Sequence, residues 1–139
     1  MNGPPSIIGI GVDIVEHERF EAMLVRRPNV VDRMFAPAEI EYAERFSGAA
    51  RVARFAARFA AKEAVSKALG INLFSIALRD ISVLPSTGGV PVVLLGGHCR
   101  EVANARHVGH ISISISHERS SSIAFAVAFG TSLNPELAF

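Results

Sequence analysis

The sequence predicts an α+β fold in which an antiparallel sheet packs against one long central helix. Three observations predict it: alternating strand-like segments near both ends of the chain, a long alanine-rich helical segment in the middle, and the absence of an internal repeat. The chain has 139 residues, half of them hydrophobic. This length and composition suit one compact domain, which we expect to cover residues 1–139.

The first strand is predicted in SIIGIGVDI, residues 6–14. Its alternation places apolar side chains on one face (Ile8, Ile10, Val12 and Ile14) and Gly9, Gly11 and Asp13 on the other. A helix is expected to follow over residues 16–27. A second helix is expected over residues 36–46, with a proline near its start, as the first turn of a helix tolerates.

The longest helix is predicted over residues 54–70, RFAARFAAKEAVSKALG, and ends at Gly70. Residues 80–85 and 90–95 are predicted to form a strand pair around the turn STGG. A short helix over residues 99–107 leads to a final hairpin. Its strands are HISISISH, residues 110–117, and SSIAFAVAF, residues 121–129, and each alternates cleanly.

Composition excludes several classes of function. A formal charge of +1 disfavours a general nucleic-acid binder, which needs a concentrated basic surface. One cysteine, Cys99, excludes an intramolecular disulfide and a cysteine zinc cluster. The apolar runs are too short to cross a bilayer, and the N-terminus lacks the features of a secretory signal. We therefore expect a soluble cytoplasmic protein that binds neither nucleic acid nor membrane.

Two carboxylates are predicted to meet where the first strand packs on the long helix. Glycines on the Asp13 face of the strand allow another backbone to approach closely. The helix offers a smooth alanine face with Glu63 and Lys67 at its border. Packing of these faces would bring Glu63 near Asp13, and two partly dry carboxylates repel unless a proton or cation lies between them. A hard divalent cation, completed by water and phosphate oxygens, fits this arrangement.

Each of these residues also has an ordinary structural explanation. Asp13 can cap the following helix, with Glu16 completing a capping box. Glu63 and Lys67 have the spacing of a helix salt bridge in its favourable order. His117 continues the isoleucine row of HISISISH, which is typical of a histidine at the rim of a core. Local sequence leaves these alternatives open.

Three segments together resemble the holo-acyl-carrier-protein synthase family of small phosphopantetheinyl transferases. They are GIGVDIVEHERF (residues 9–20), RFAAKEAVSKALG (58–70) and SISHERSSSIAFAVA (114–128). The resemblance covers the chain from about Ile7 to Phe129, in the family's order and spacing. It implies a small phosphopantetheinyl transferase fold and transfer of 4′-phosphopantetheine from coenzyme A to a serine of apo-acyl carrier protein, which releases adenosine 3′,5′-bisphosphate.

The resemblance also implies roles for individual residues. Asp13 and Glu63 match the family's magnesium ligands. Lys67, which closes the KEAxxK motif, is expected to take part in catalysis and to hold a coenzyme A phosphate. His117 is expected at the coenzyme site.

Two further cations of the middle motif have roles that the resemblance leaves less defined. Arg58 and Lys62 are expected to bind phosphate or to fix Glu63. Two loops depart from the family pattern. Val90 stands where a basic residue is usual, which puts a phosphate or adenosine contact from that loop in doubt. Gly70-Ile71-Asn72 replaces the common Gly-Thr-Gly.

Partners follow from charge and from the family. Arg19, Arg26 and Arg27 are expected to meet an acidic acyl carrier protein, although a solvated helix face explains them equally well. The family is typically trimeric, with active sites shared between subunits, so a homotrimer is expected. Two rival functions remain: a coenzyme-binding module without turnover, and a purely structural oligomer. The retained pair of Asp13 and Glu63 opposes the first rival, because simple phosphate binding requires cations and backbone donors rather than carboxylates.

Overall fold

The computed structural model contains two antiparallel sheets and a long helix that crosses the larger sheet. It describes residues 5–72 and 75–131. The elements in chain order are β1 (Ile7–Glu16), α1 (His17–Arg26), α2 (Val30–Met34), α3 (Pro37–Ala43), α4 (Gly48–Leu69), a 3₁₀ turn (Leu78–Asp80), β2 (Ile81–Pro85), β3 (Pro91–Leu95), α5 (Gly97–Ala105), β4 (Val108–His117) and β5 (Ser121–Gly130). Residues 132–139 lie outside the described residues.

The larger sheet has the strand order β1-β5-β4, and β2 and β3 form a separate hairpin. All neighbouring strands are antiparallel. Asp13 pairs with Ala124 of β5, which in turn pairs with Ile115 of β4. The predicted α+β class, with an antiparallel sheet against a long helix, is confirmed.

Helix α4 begins earlier than the sequence pattern predicted. It starts at Gly48 instead of residue 54, because the alanines and arginines of residues 49–53 continue the helix. Its predicted end is confirmed: Gly70 adopts a left-handed conformation, with φ 67°, that terminates the helix. The five-residue helix α2 was not predicted, because so short a segment shows no helical periodicity.

The contact between β1 and α4 is as close as backbones allow. A Cβ atom added at Gly9 would overlap the carbonyl of Ala68, and one at Gly11 would overlap the carbonyl of Ala64. Both alanines are buried. The predicted packing of a glycine face against an alanine face is therefore present in the structure.

Apolar side chains on the other face of β1 and β5 remain exposed to solvent. Val12 pairs with Phe125 and Ile14 pairs with Ile123 across the two strands. The exposed fraction is 49% at Val12, 65% at Ile14 and 44% at Phe125. We call this apolar surface, formed by Ile8, Ile10, Val12, Ile14, Ile123 and Phe125, the exposed sheet face. A contiguous apolar surface of this kind is typical of an interaction surface.

The described helices give no candidate for a membrane span, since none of them is both long and apolar enough.

We expect Gly11→Ala to destabilise the fold, because the new methyl group would collide with the backbone of α4. Overpacking of this kind costs about 1–3 kcal/mol in the free energy of unfolding. Gly88→Ala is the matched control, because a Cβ there has nothing within 4 Å. Urea unfolding of both variants measures the difference, and equal stabilities would contradict the close contact.

Candidate active site

Asp13 and Glu63 lie together between β1 and α4. The side chain of Asp13 is only 14% exposed, and its Oδ2 atom is buried without a hydrogen-bond partner. Burial, followed by the neighbouring carboxyl group of Asp13, raises the pKa of Glu63 to about 8. At neutral pH and without a cation, the pair therefore tends to retain a proton.

Lys67 pairs with Asp13 and not with Glu63. Its Nζ atom donates a hydrogen bond of 2.9 Å to the carbonyl of Val12 and lies 3.4 Å from Oδ1 of Asp13. The alternative of a Glu63–Lys67 salt bridge is wrong, because the geometry directs the lysine towards β1. The Lys67 side chain is still 56% exposed, so it remains accessible to a ligand.

The explanation of Asp13 as a helix cap is also wrong. Helix α1 begins at His17 and takes Glu16 as its N-cap residue, without a side-chain capping bond. Asp13 lies within β1, three residues before that cap, and pairs with Ala124. Its carboxylate therefore serves no capping role in this fold.

The two carboxylates fit a hard divalent cation. Carboxylate oxygens are the donors that magnesium prefers, and magnesium usually keeps several waters or substrate oxygens around one or two carboxylates. The orphaned Oδ2 of Asp13 supplies an unused donor at this point. The described residues contain no group of three or more His, Cys, Asp or Glu side chains placed to hold a metal. Oxygens of water or substrate would therefore complete the shell.

A groove of about 780 Å³ extends from these carboxylates along α1. Asp13 and Glu63 line it, together with Arg19, Met23, Arg26 and neighbouring residues of β1, α1 and α4. We call it the α1–α4 groove. Arg27, predicted alongside the other two arginines, is not among its lining residues. The groove thus joins an acidic end to an apolar floor that carries two arginines.

His117 lies apart from Asp13 and Glu63 within one chain. It ends β4, is exposed to solvent, and pairs with Ser122 of the central strand. It lines a second cavity of about 890 Å³ that includes His17 and Arg54 but neither Asp13 nor Glu63. The exposure opposes a place in the core, and His117 and the two carboxylates line different cavities, which share Ile14 and Glu16.

Lys62 requires a correction. It is fully buried, and its Nζ atom lies 2.6 Å from Oε1 of Glu39 and also donates to the carbonyls of Leu78 and Ile81. A phosphate has no access to it, and it makes no direct contact that would fix Glu63. Although consecutive in sequence, Lys62 and Glu63 point to different sides of α4.

Arg58 requires the same correction. It is 7% exposed, its guanidinium lies 4.3 Å from the ring centroid of Tyr42, and it donates to the carbonyl of Arg54. Burial lowers the pKa of Arg58. Its side chain belongs to the contact between α3 and α4 and is not placed for a phosphate at Glu63.

Sequence reasoning missed two residues that support the site. Glu39 holds the buried lysine, although its position in the first turn of α3 indicated only a local capping role. His17 has ring nitrogens 2.8 Å from Oγ of Ser122 and 3.2 Å from the carbonyl of Arg119, so it links α1 to the turn that follows His117. No sequence signal could identify the second contact, which joins residues more than 100 positions apart.

The chain is similar to known proteins over most of its length. Residues 9–128 match the sequence model of the 4′-phosphopantetheinyl transferase superfamily. The holo-[acyl-carrier-protein] synthase of Clostridium novyi is 41% identical over 121 residues, which cover 87% of this chain and 86% of that protein.

Solved structures give the same result. The holo-ACP-synthase of Plasmodium yoelii is 30% identical, with a TM-score of 0.82 over 93% of this chain and 99% of that one. A holo-(acyl-carrier-protein) synthase of Bacillus anthracis, in complex with CoA (3′,5′-ADP), is also 30% identical, with a TM-score of 0.76 over 90% and 98% of the two chains. The family match, the extent of these similarities and the three sequence motifs agree: this chain belongs to the holo-acyl-carrier-protein synthase family of the 4′-phosphopantetheinyl transferase superfamily.

Proposed function

We propose that this chain is a holo-[acyl-carrier-protein] synthase. It transfers the 4′-phosphopantetheine group of coenzyme A to a serine of apo-acyl carrier protein and releases adenosine 3′,5′-bisphosphate. The observation that carries the proposal is the half-buried pair of Asp13 and Glu63 at the end of a groove that carries arginines. We also propose that the reaction takes place in the cytoplasm.

The serine hydroxyl gives its proton to a water molecule, and its oxygen forms a new bond to the phosphorus that carries the pantetheine arm. The bond between that phosphorus and the bridging oxygen of the pyrophosphate breaks, and adenosine 3′,5′-bisphosphate leaves with the electron pair. Asp13 and Glu63 would hold magnesium, which when bound would supply positive charge to stabilise the phosphate groups. Lys67 is exposed enough to bind a coenzyme A phosphate and to stabilise the charge that develops on the leaving group.

The structure-based objections to the two rival functions rest on the same carboxylates. A coenzyme-binding module without turnover gains nothing from negative groups beside a phosphate. A purely structural role is also disfavoured, because burial of Glu63 beside the carboxyl group of Asp13 disfavours the charged form of Glu63 and so lowers stability. Residues that reduce stability in this way are commonly kept for a function.

The carrier protein docks along the α1–α4 groove. Arg19 and Arg26 line it and complement an acidic surface, while Met23 and Phe59 offer apolar contacts between them. Arg27 lies outside the groove lining, so we expect a smaller contribution from it.

The active enzyme is a homotrimer with shared sites. The exposed sheet face provides an apolar surface for a second copy of the chain. His117 does not line the groove that contains Asp13 and Glu63. On this proposal the partner subunit's His117 completes each coenzyme site.

Incubation of the protein with coenzyme A, magnesium and an apo-acyl carrier protein tests the proposed reaction. We expect mass spectrometry to show the carrier gaining one phosphopantetheine. Asp13→Asn and Glu63→Gln should each lower turnover by about a hundredfold or more. Each removes a proposed ligand of the metal ion whose charge would stabilise the transition state. Glu101→Gln, an exposed carboxylate on α5, is the control. Near-normal turnover by both site variants would refute the assignment of the carboxylates.

Charge reversal should separate the groove arginines from other surface arginines. We expect Arg19→Glu and Arg26→Glu to raise KM for the carrier by about tenfold or more and to weaken its dependence on salt, since steering by complementary charge is lost. Arg45→Glu is the matched control, because that side chain is 67% exposed and lies outside the groove. If Arg45→Glu has the same effect, the carrier does not dock in the groove.

Subunit mixing tests the shared site. Glu63→Gln and His117→Ala homotrimers should both be inactive. A shared site needs an intact Glu63 from one subunit and an intact His117 from its neighbour, and each is present with a probability of about one half in a random mixture. Random mixing of the two chains should therefore restore activity at about a quarter of the sites. Co-expression with two affinity tags and a turnover assay measure this. Mixed trimers without activity would show that each site lies within one subunit.

A further inference from the structure

A buried ion pair anchors the side of α4 that faces away from β1. Lys62 and Glu39 are both fully buried, with Nζ and Oε1 2.6 Å apart. Nζ of Lys62 also donates to the carbonyls of Leu78 and Ile81. All three of its protons therefore have acceptors, so the position of the ammonium group is defined in three directions.

Glu39 is held as firmly as its partner. Its Oε1 atom accepts a hydrogen bond of 2.9 Å from the amide of Ala36, and its Oε2 atom accepts one of 3.1 Å from the amide of Val83. The pair thus connects α4 with the start of α3 and with β2. These connections are directional, because each is a hydrogen bond with a preferred angle.

The opposite side of α4 is held less firmly, because the hydrogen bond from Lys67 to the carbonyl of Val12 comes from a side chain that is 56% exposed. There the helix meets β1 through Gly9 and Gly11 against Ala64 and Ala68. Small residues let the two backbones approach closely, but they provide no large side chains that would interlock and fix the rotation of the helix. Lys62 lies about 200° around the helix from Ala64, so it supplies a buried directional constraint from the far side.

Rotation of α4 would act directly on Glu63, the next residue in the chain. Side chains reach about 5–6 Å from a helix axis, so a rotation of about 20° would move the carboxylate by about 2 Å. Misplacement of a catalytic group by even 1 Å can cost about a hundredfold in rate. The Asp13–Glu63 pair therefore depends on a defined rotation.

We propose that Lys62 and Glu39 are positioning residues that fix the rotation of α4 so that Glu63 faces Asp13. The inference rests on the proposed function of that carboxylate pair as a metal site. Stability alone accounts poorly for the buried ions, because well-packed apolar residues often replace a buried ion pair without loss. Their role here is geometric.

The test compares the double variant Lys62→Met/Glu39→Gln with Val65→Ala. The double variant removes both charges while it keeps similar side-chain volumes. Val65→Ala also weakens the burial of α4, since Val65 is fully buried, but it leaves the ion pair intact. Binding of Mn²⁺ is measured by electron paramagnetic resonance well below both melting temperatures. We expect about tenfold weaker Mn²⁺ binding and a lower kcat in the double variant only, with KM for the carrier unchanged.

Crystal structures of the same proteins provide a second readout that needs no metal. We expect the carboxylates of Glu63 and Asp13 to separate in the double variant and to stay together in wild type and Val65→Ala. Unchanged Mn²⁺ affinity with unchanged carboxylate positions would overturn the inference. If wild type itself fails to bind Mn²⁺, the proposed metal site is wrong, and the crystal structures still decide the positioning role. If the double variant does not fold, the isosteric Glu39→Gln variant is measured in the same way.

Discussion

The close approach of α4 to the glycine side of β1 is the contact on which the other features of this structure depend. Because Gly9 and Gly11 carry no side chains, the helix backbone lies directly on the strand, and Asp13 and Glu63 come together at the end of that contact. The same approach removes water from both carboxylates and leaves Oδ2 of Asp13 without a partner. The geometry of the fold therefore makes two separate negative charges unfavourable here, and a proton, or the cation of the proposed site, relieves their repulsion.

Much of this arrangement could be predicted from the sequence, because both surfaces are regular. A period of two places Gly9, Gly11 and Asp13 on one face of a strand, and a period of 3.6 gathers the alanines on one face of a helix. Each period fixes which residues share a surface, and small residues on both surfaces indicate a close contact. The same logic predicted the antiparallel order of the last hairpin, whose two strands alternate without interruption.

Lys62 and Arg58, which the sequence predicted at the site, show what periodicity cannot predict. Helical spacing states that Lys62 lies about 100° from Glu63, but not which element covers each side of the helix. The partner of Lys62 is 23 residues away in α3, and that contact exists only once α3 has packed on α4. His17 and Ser122 are likewise joined only by the pairing of β1 with β5. Membership of one motif therefore did not mean membership of one site: Arg58 and Lys62 support the helix, whereas Glu63 and Lys67 face the groove and β1.

Strand β1 links assembly to chemistry, because its successive side chains face opposite sides of the sheet. Asp13 points towards α4, while its neighbours Val12 and Ile14 point to the exposed sheet face. A one-residue shift in the pairing of β1 with β5 would exchange these faces, turning the carboxylate outward and the apolar residues against the helix. The glycines prevent this, because a larger side chain facing α4 would collide with its backbone. In the proposed trimer, the register that directs Asp13 to the proposed metal site is therefore the same register that presents the apolar face to a neighbouring subunit.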